Sequence, residues 1–414
     1  MNILVLSNFY PPYYIGGYEL GCQEIVESLK QRGHTVKVLT SRYGVDRPEQ
    51  DGDVYRWLRS DLGWSSRSPA AYWHRLFVKE LYNRLAFRRL LRRFTPQVFH
   101  IWNPRSISVA PVYMAQRMGI PVCYAISDDW LAHSETIDRW YRPPPNRVNR
   151  AIWRLLDLIL EAAGGRTGQQ HLRLDYVQFT SQYLKDAAAH AGKPVERARV
   201  AHWGVDLLRF PFRAAPRECA RKLLYVGQLT AKKGVATAIE ALHHLIACDP
   251  GGDLSLTIAG GAIAPGYEAE LRALVRDAQL ESRVSFAGKL PRDQLPALYQ
   301  DHDILIFPSI WEEPFSITLL EAMASGLAVV ATATGGSAEL LRHNHNALIF
   351  PPADAEACAA QLAALLNDQV LFERIRSTGR ETIERHYTIA QMADRIEALL
   401  RDTAGGAHED RDLA

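Results

Sequence analysis

The chain has 414 residues, 47% hydrophobic and 23% charged, with 48 Lys and Arg against 46 Asp and Glu for a net charge of +2. At roughly 100–200 residues per domain two domains are expected, and the near-neutral balance argues against a general nucleic-acid binder, which would be strongly basic. The five cysteines, at 22, 123, 219, 248 and 358, are odd in number and lack metal-ligand or Cys-x-x-Cys spacing, which favours a reduced, cytoplasmic protein. The opening "MNILVLSNFYPP" has neither the basic start nor the long apolar run of a signal peptide. No run approaches the ~18–20 apolar residues of a membrane span, so any membrane contact is expected from the surface.

"NILVLS" (2–7) is a short apolar run that reads as a buried parallel strand. Cys22, Ile25, Val26 and Leu29 then recur at helical spacing, and Gly33 follows as a stop. "TVKVLTS" (35–41) is the next strand, which makes a βαβ unit with an expected right-handed crossover. Further strands read at 97–102, 121–127, 176–181 and 199–206. Two less regular stretches, 55–95 and 128–170, read as insertions on this first domain. The first contains the basic helix "NRLAFRRLLRRF" (83–94), which sets Arg84, Arg88, Arg89, Arg92 and Arg93 beside Leu85, Phe87, Leu90 and Leu91. Such a helix either docks on anionic lipid at the inner face of a membrane or is a core helix with a solvated basic face.

Residues 207–218 carry two prolines and no period, and read as a linker. A second series follows, with strands at 222–229, 254–261, 283–290, 303–309, 328–333 and 347–351 and helices between them. Alternation in both halves implies an α/β protein of two doubly wound domains, 1–206 and 219–386. The helix at 387–402 has Ile389, Met392, Ile396, Leu399 and Leu400 at suitable spacing, and the tail 403–414 is expected to be disordered.

The most informative stretch is "EEPFSITLLEAMASG" (312–326). Pro314 and Phe315 make a turn, Ser316 is a helix N-cap, Ile317 opens the helix and Gly326 ends it. The helix start then lies at the carboxyl edge of a parallel sheet, where free amides and the helix dipole favour a phosphate. Glu321 is five residues past Ser316, roughly 7–8 Å along the axis, which suits a carboxylate that grips ribose hydroxyls. Glu313 precedes the helix, beyond the phosphates, where a transferred group would sit.

This spelling resembles the retaining glycosyltransferases of family four, which have the GT-B fold: two Rossmann-like domains facing across a cleft. In that family the last helix, here 387–402, packs back on the first domain. Several more motifs carry the resemblance. "YVGQLTAKKG" (225–234) puts Lys233 where the family's lysine meets the donor diphosphate, and Gln228 where an arginine is usual. Gln brings no charge to that contact. Gly16-Gly17 matches a loop that lets the donor approach the backbone. Gly288-Lys289-Leu290 matches the turn that reads the base. "ISDDW" (126–130) keeps Asp128 and Trp130 but has Ser127 in place of a histidine that contacts the donor sugar. "RVAHWGVD" (199–206) has Trp203 in an asparagine position. His100 falls at a strand end that faces the cleft in the family, although a lone histidine is equally a core residue. The resemblance implies transfer of a sugar from a nucleotide sugar to a hydroxyl acceptor, with retention and without cofactor or metal. Catalytic roles fall on Glu313, Lys233, Asp128 and Ser127, and acceptor contacts on His100 and Trp130. An epimerase on the same fold and a non-catalytic glycosyltransferase-like subunit are the rival readings.

Overall fold

The structure, a computed structural model, describes residues 1–62, 69–137, 147–162, 172–214, 222–248 and 253–409. Parts of the expected insertions, the end of the expected linker and the last five residues lie outside the described residues. The chain divides into two compact units, Met1–Ala201 with Met392–Ala414, and His202–Gln391.

The first unit is built on an eight-stranded sheet. Its strands are β1 (Asn2–Ser7), β2 (Thr35–Ser41), β3 (Glu49–Asp51), β4 (Val54–Leu58), β5 (Val98–Asn103), β6 (Val122–Ile126), β7 (Val177–Phe179) and β8 (Arg199–Val200). Their order is β3-β4-β2-β1-β5-β6-β7-β8, and only the β3–β4 pair is antiparallel. The helices are α1 (Gly17–Gln31), α2 (Pro69–Leu91), α3 (Ala110–Arg117), α4 (Trp130–Ile137), α5 (Arg147–Ala162) and α6 (Gln182–His190). Leu4, Leu6, Leu39, Phe99, Ile101, Tyr124 and Phe179 from the strands share one core with Phe87 and Leu90 of α2. Each such side chain contributes about 1.5–3 kcal/mol by leaving water.

One expectation is corrected here. Residues 55–95 are not simply an insertion, because Val54–Leu58 is a strand of the main sheet, parallel to β2. The 83–94 segment follows the second of its two expected readings, a core helix with a solvated basic face: Phe87 and Leu90 are in the core, Arg84 is buried and donates to the Leu160 carbonyl, and Arg88, Arg89, Arg92 and Arg93 are exposed, with Arg89 and Arg93 over the Trp57 ring at 4.9 and 5.6 Å. Among the described residues no helix is long and apolar enough to cross a membrane.

The second unit carries a six-stranded, fully parallel sheet of β9 (Lys222–Val226), β10 (Ser255–Ala259), β11 (Val284–Gly288), β12 (Ile304–Phe307), β13 (Ala328–Ala331) and β14 (Leu348–Ile349). Its helices are α7 (Val235–Cys248), α8 (Tyr267–Asp277), α9 (Leu295–Gln300), α10 (Ile317–Ser325), α11 (Ala355–Asn367) and α12 (Gln369–His386). The strand order is β11-β10-β9-β12-β13-β14. Central runs such as ILIF in β12 are buried throughout, as a sheet covered on both faces requires. Residues 207–214 do not hang free as a linker: Phe210 is fully buried and Arg213 bonds Asp303 at 2.8 Å.

The last helix, α13 (Ile389–Glu409), runs through most of the tail expected to be disordered. Thr403 within it is fully buried. From Met392 on it belongs to the first unit, where Arg32 bonds Asp394 at 2.7 Å and Glu397 at 2.9 Å, and His34 bonds Glu397 at 3.1 Å.

Candidate active site

In both sheets the strand order reverses once. In the second unit the chain winds outward one way from β9 and the other way from β12, and these two strands are neighbours, with Leu224 opposite Leu305. Loops leaving their carboxyl ends diverge to opposite faces, which leaves a crevice suited to a ligand. The loop after β9 carries Lys233, and the loop after β12 carries Glu313. That shared edge is what brings the two together across 80 positions of sequence.

Lys233 Nζ donates to both carboxylate oxygens of Glu313, at 2.6 and 2.8 Å. Ser309 Oγ donates to the same carboxylate at 2.6 Å. The Glu313 side chain is 5% exposed and that of Lys233 21%, so the pair is shielded on the acid's side and reachable on the lysine's. Lys233 Nζ also lies 4.8 Å from the centre of the exposed Trp311 ring. Gly234 makes the turn possible: its φ is +68°, and a Cβ there would lie 1.9 Å from the Pro308 carbonyl oxygen. The buried Tyr225 phenol has its pKa raised by burial and then by the nearby Glu313 charge, so it stays protonated, and it donates to the Gln228 carbonyl at 2.9 Å.

Ser316 caps α10, accepting from the Leu319 N–H at 3.4 Å, and Gly326 closes the helix with φ +83°. Between them Glu321 is buried, held by Arg292 Nη1 at 2.8 Å and the Tyr299 hydroxyl at 3.0 Å. Tyr299 is wholly buried, and burial, followed by the Glu321 charge, raises its pKa so that it remains a donor. Phe315 is buried, while Pro314 and Ile317 are half-buried. Gly288 has φ +69°, Lys289 is exposed and Leu290 half-buried.

In the first unit the order reverses between β1 and β5. There Asn103 of β5 donates to Asp128 Oδ2 at 2.8 Å, the Trp130 N–H donates to Oδ1 at 3.0 Å, and Arg105 approaches at 3.6 Å. Burial raises the Asp128 pKa although the side chain keeps 20% exposure. Ser127 is buried, and its Oγ has no hydrogen-bond partner among the described residues. Gly17 is exposed, but the Gly16 N–H is already taken by Glu19 Oε2 at 3.0 Å. The two candidates for acceptor contact are in the core. Trp130 is 2% exposed, and His100 is fully buried, with burial lowering its pKa to about 3 and keeping it neutral. Its Nδ1 accepts from Trp102 at 3.2 Å.

The expected site residues thus form two groups. Gln228, Lys233, Gly288–Leu290, Glu313–Ile317 and Glu321 lie in the second unit, and Gly16, Gly17, His100, Ser127, Asp128 and Trp130 in the first. Sequence reasoning missed Ser309, Arg292, Tyr299, Asn103, Arg105 and Glu19. Ser309 had a signal, a hydroxyl at a strand's end four residues before the acid; the partners of Glu321 had none in their local sequence.

Comparison with known proteins identifies the family. Residues 209–382 match the family model of glycosyl transferases group 1, and residues 15–209 that of Glycosyltransferase Family 4. The chain is 33% identical over 403 residues to glycogen synthase of Mycobacterium tuberculosis, covering 92% of this chain and 90% of that one. It is 32% identical over 219 residues to the amylovoran biosynthesis glycosyltransferase AmsK of Erwinia amylovora. That match covers 50% of this chain and spans about half, 52%, of AmsK. Among solved structures it shares the fold of Anabaena HepE in complex with UDP-glucose, at TM-score 0.67 and 19% identity over 97% of this chain and all of that one.

Proposed function

Because the chain belongs to the glycosyltransferases of group 1 and family 4, with the GT-B fold, we propose that its second unit binds a nucleotide-sugar donor and that the sugar passes, with retention, to a hydroxyl acceptor in glycan or polysaccharide synthesis. One observation carries this reading: a lysine and a shielded carboxylate meet at the reversal point of one parallel sheet, on a loop that leads into a capped helix bearing a second shielded carboxylate.

The proposed chemistry follows from these side chains. The donor diphosphate lies against the first turn of α10 and takes up Lys233, which at present neutralises Glu313. Glu321, fixed by Arg292 and Tyr299 on the helix that starts beside the diphosphate, accepts ribose hydroxyls. Released from Lys233, Glu313 accepts hydroxyls of the transferred sugar. As the bond from the anomeric carbon to the diphosphate breaks, charge grows on the leaving oxygen. Lys233 and the helix amides stabilise that charge, each such donor contributing about 3–4 kcal/mol. The acceptor oxygen bonds to the anomeric carbon and its proton goes to the leaving phosphate, so the balance needs no metal. In the first unit, Ser127 Oγ and Asp128 are proposed as further sugar contacts, the former because its buried hydroxyl has no partner among the described residues. The likeness to HepE, seen with UDP-glucose, makes UDP-sugars the first donors to try.

The test is turnover of a panel of UDP-, GDP-, ADP- and dTDP-sugars in the presence of EDTA. One donor is expected to be consumed by the native protein and far more slowly by Glu313→Gln. No turnover of any donor, or turnover unchanged in Glu313→Gln, would overturn the reading.

A further inference from the structure

The loop that holds Glu313 is gripped from both ends by one short element. The 3-10 turn Gly335–Glu339 begins with the Gly336 N–H donating to the Glu313 carbonyl at 2.6 Å. Just before it, Thr334 Oγ1 donates to the Trp311 carbonyl at 2.8 Å. The same turn ends at Glu339, whose Oε2 lies 2.7 Å from His202 Nε2. His202 in turn packs its ring on Phe315, two residues after Glu313, with centroids 4.9 Å apart. Tyr387 closes the aromatic group, 5.5 Å from His202 and 5.7 Å from Phe315. Its carbonyl accepts from the Val205 N–H at 2.9 Å, which fixes the segment that bears His202.

A closed ring of contacts results: Glu313 backbone, Gly336, Glu339, His202, Phe315, and back along the chain to Glu313. Phe315 is immediately followed by Ser316, the cap of α10. Whatever fixes Phe315 therefore fixes both the acid and the helix start. Histidine suits this position for a chemical reason. Its ring stacks on an aromatic neighbour while its Nε2–H bonds a carboxylate; phenylalanine supplies only the first of these and glutamine only the second.

We propose that His202, held by Glu339, is a positioning residue for the donor loop, keeping Phe315 seated so that Glu313 and the start of α10 keep the geometry the donor requires. This rests on the donor-site reading given above. Neither His202 nor Glu339 touches the donor in this account; both act through Phe315 and the backbone of Glu313.

The experiment compares wild type, His202→Phe, His202→Gln, Glu339→Gln and Lys233→Ala for kcat and KM toward the donor that wild type turns over, with melting temperatures measured alongside. His202→Phe is expected to lower kcat/KM about tenfold, as small misplacements of reacting groups do, with a smaller loss in Glu339→Gln. A double-mutant cycle supplies the readout that mere destabilisation would not move. In a Glu313→Gln background, which retains residual activity through Lys233, His202→Phe is expected to add a clearly smaller loss than in wild type, because the part of its effect that passes through Glu313 is already gone. If Lys233→Ala abolishes turnover while the His202 and Glu339 variants match wild type, the brace is wrong and the donor site stands. The brace is also wrong if His202→Phe costs the same in both backgrounds. If Lys233→Ala is itself without effect, the donor-site reading falls and takes the brace with it.

Discussion

Lys233 and Glu313 neutralise each other at 2.6 Å around a carboxylate that is 5% exposed. Removing one member strands the other: the cost of an uncompensated buried charge is about 3–5 kcal/mol, and the partial exposure of Lys233 places this pair at the low end. Lys233→Ala is thus expected to lower both the melting temperature and turnover. Adding Glu313→Gln should restore the melting temperature and leave turnover lost, a separation visible by comparing thermal melts with donor consumption. Glu321→Gln is expected to weaken nucleoside diphosphate binding in titration calorimetry, with a smaller effect from Tyr299→Phe, which removes the 3.0 Å hydroxyl contact. Glu313, Glu321 and Lys233 were legible because each sits in a local motif whose spacing relates it to a strand end or a helix start. Arg292 and Tyr299 were not. They reach Glu321 from 29 and 22 positions away, and only the packing of α9 and its preceding turn beside α10 brings them there.

At the scale of elements, the turn bearing Lys233 depends on Gly234. Gly234→Ala forces a Cβ to within 1.9 Å of the Pro308 oxygen in a left-handed conformation. It is expected to destabilise by more than ~1 kcal/mol and to weaken donor binding together with stability, since the strand-end loops shift as one. The seating of α13 carries a pH signature. Hydrogen bonds from Arg32 first, then Arg401 and His34, hold Glu397 at about 2 rather than 4.5. A depressed folded-state pKa gives stability that is complete above the unfolded value and is lost as pH falls from about 4.5 toward about 2. Glu397→Gln is expected to flatten this part of the stability–pH curve, as followed by circular dichroism. The alternating strands and helices were legible from apolar periodicity, whereas the tail was misread for a physical reason. Gly405 and Gly406 signal disorder by propensity, but Gly406 stands where a Cβ would meet the Tyr176 hydroxyl at 1.9 Å, and the neighbouring Thr403 is fully buried. Tertiary packing overrides propensity there. The strand VYRWL (54–58) was hidden similarly, because four of its five residues are buried and no alternation of polar and apolar positions survives.

For the whole molecule, two doubly wound units were legible from the repeated βαβ alternation, but strand order was not. The reversals between β1 and β5 and between β9 and β12 are long-range pairings with no local spelling. They nonetheless decide which loops meet, and so where the site lies. Donor at 100 times its Kd is expected to stabilise the fold by about 2.7 kcal/mol. In hydrogen exchange the added protection should concentrate in 227–234 and 308–321 of the second unit. The account is tested most directly by a crystal structure with the nucleotide sugar bound. It predicts diphosphate oxygens within hydrogen-bonding distance of Lys233 Nζ and the first amides of α10, with the ribose hydroxyls on Glu321. A diphosphate seated elsewhere, with the Lys233–Glu313 pair undisturbed, would contradict it.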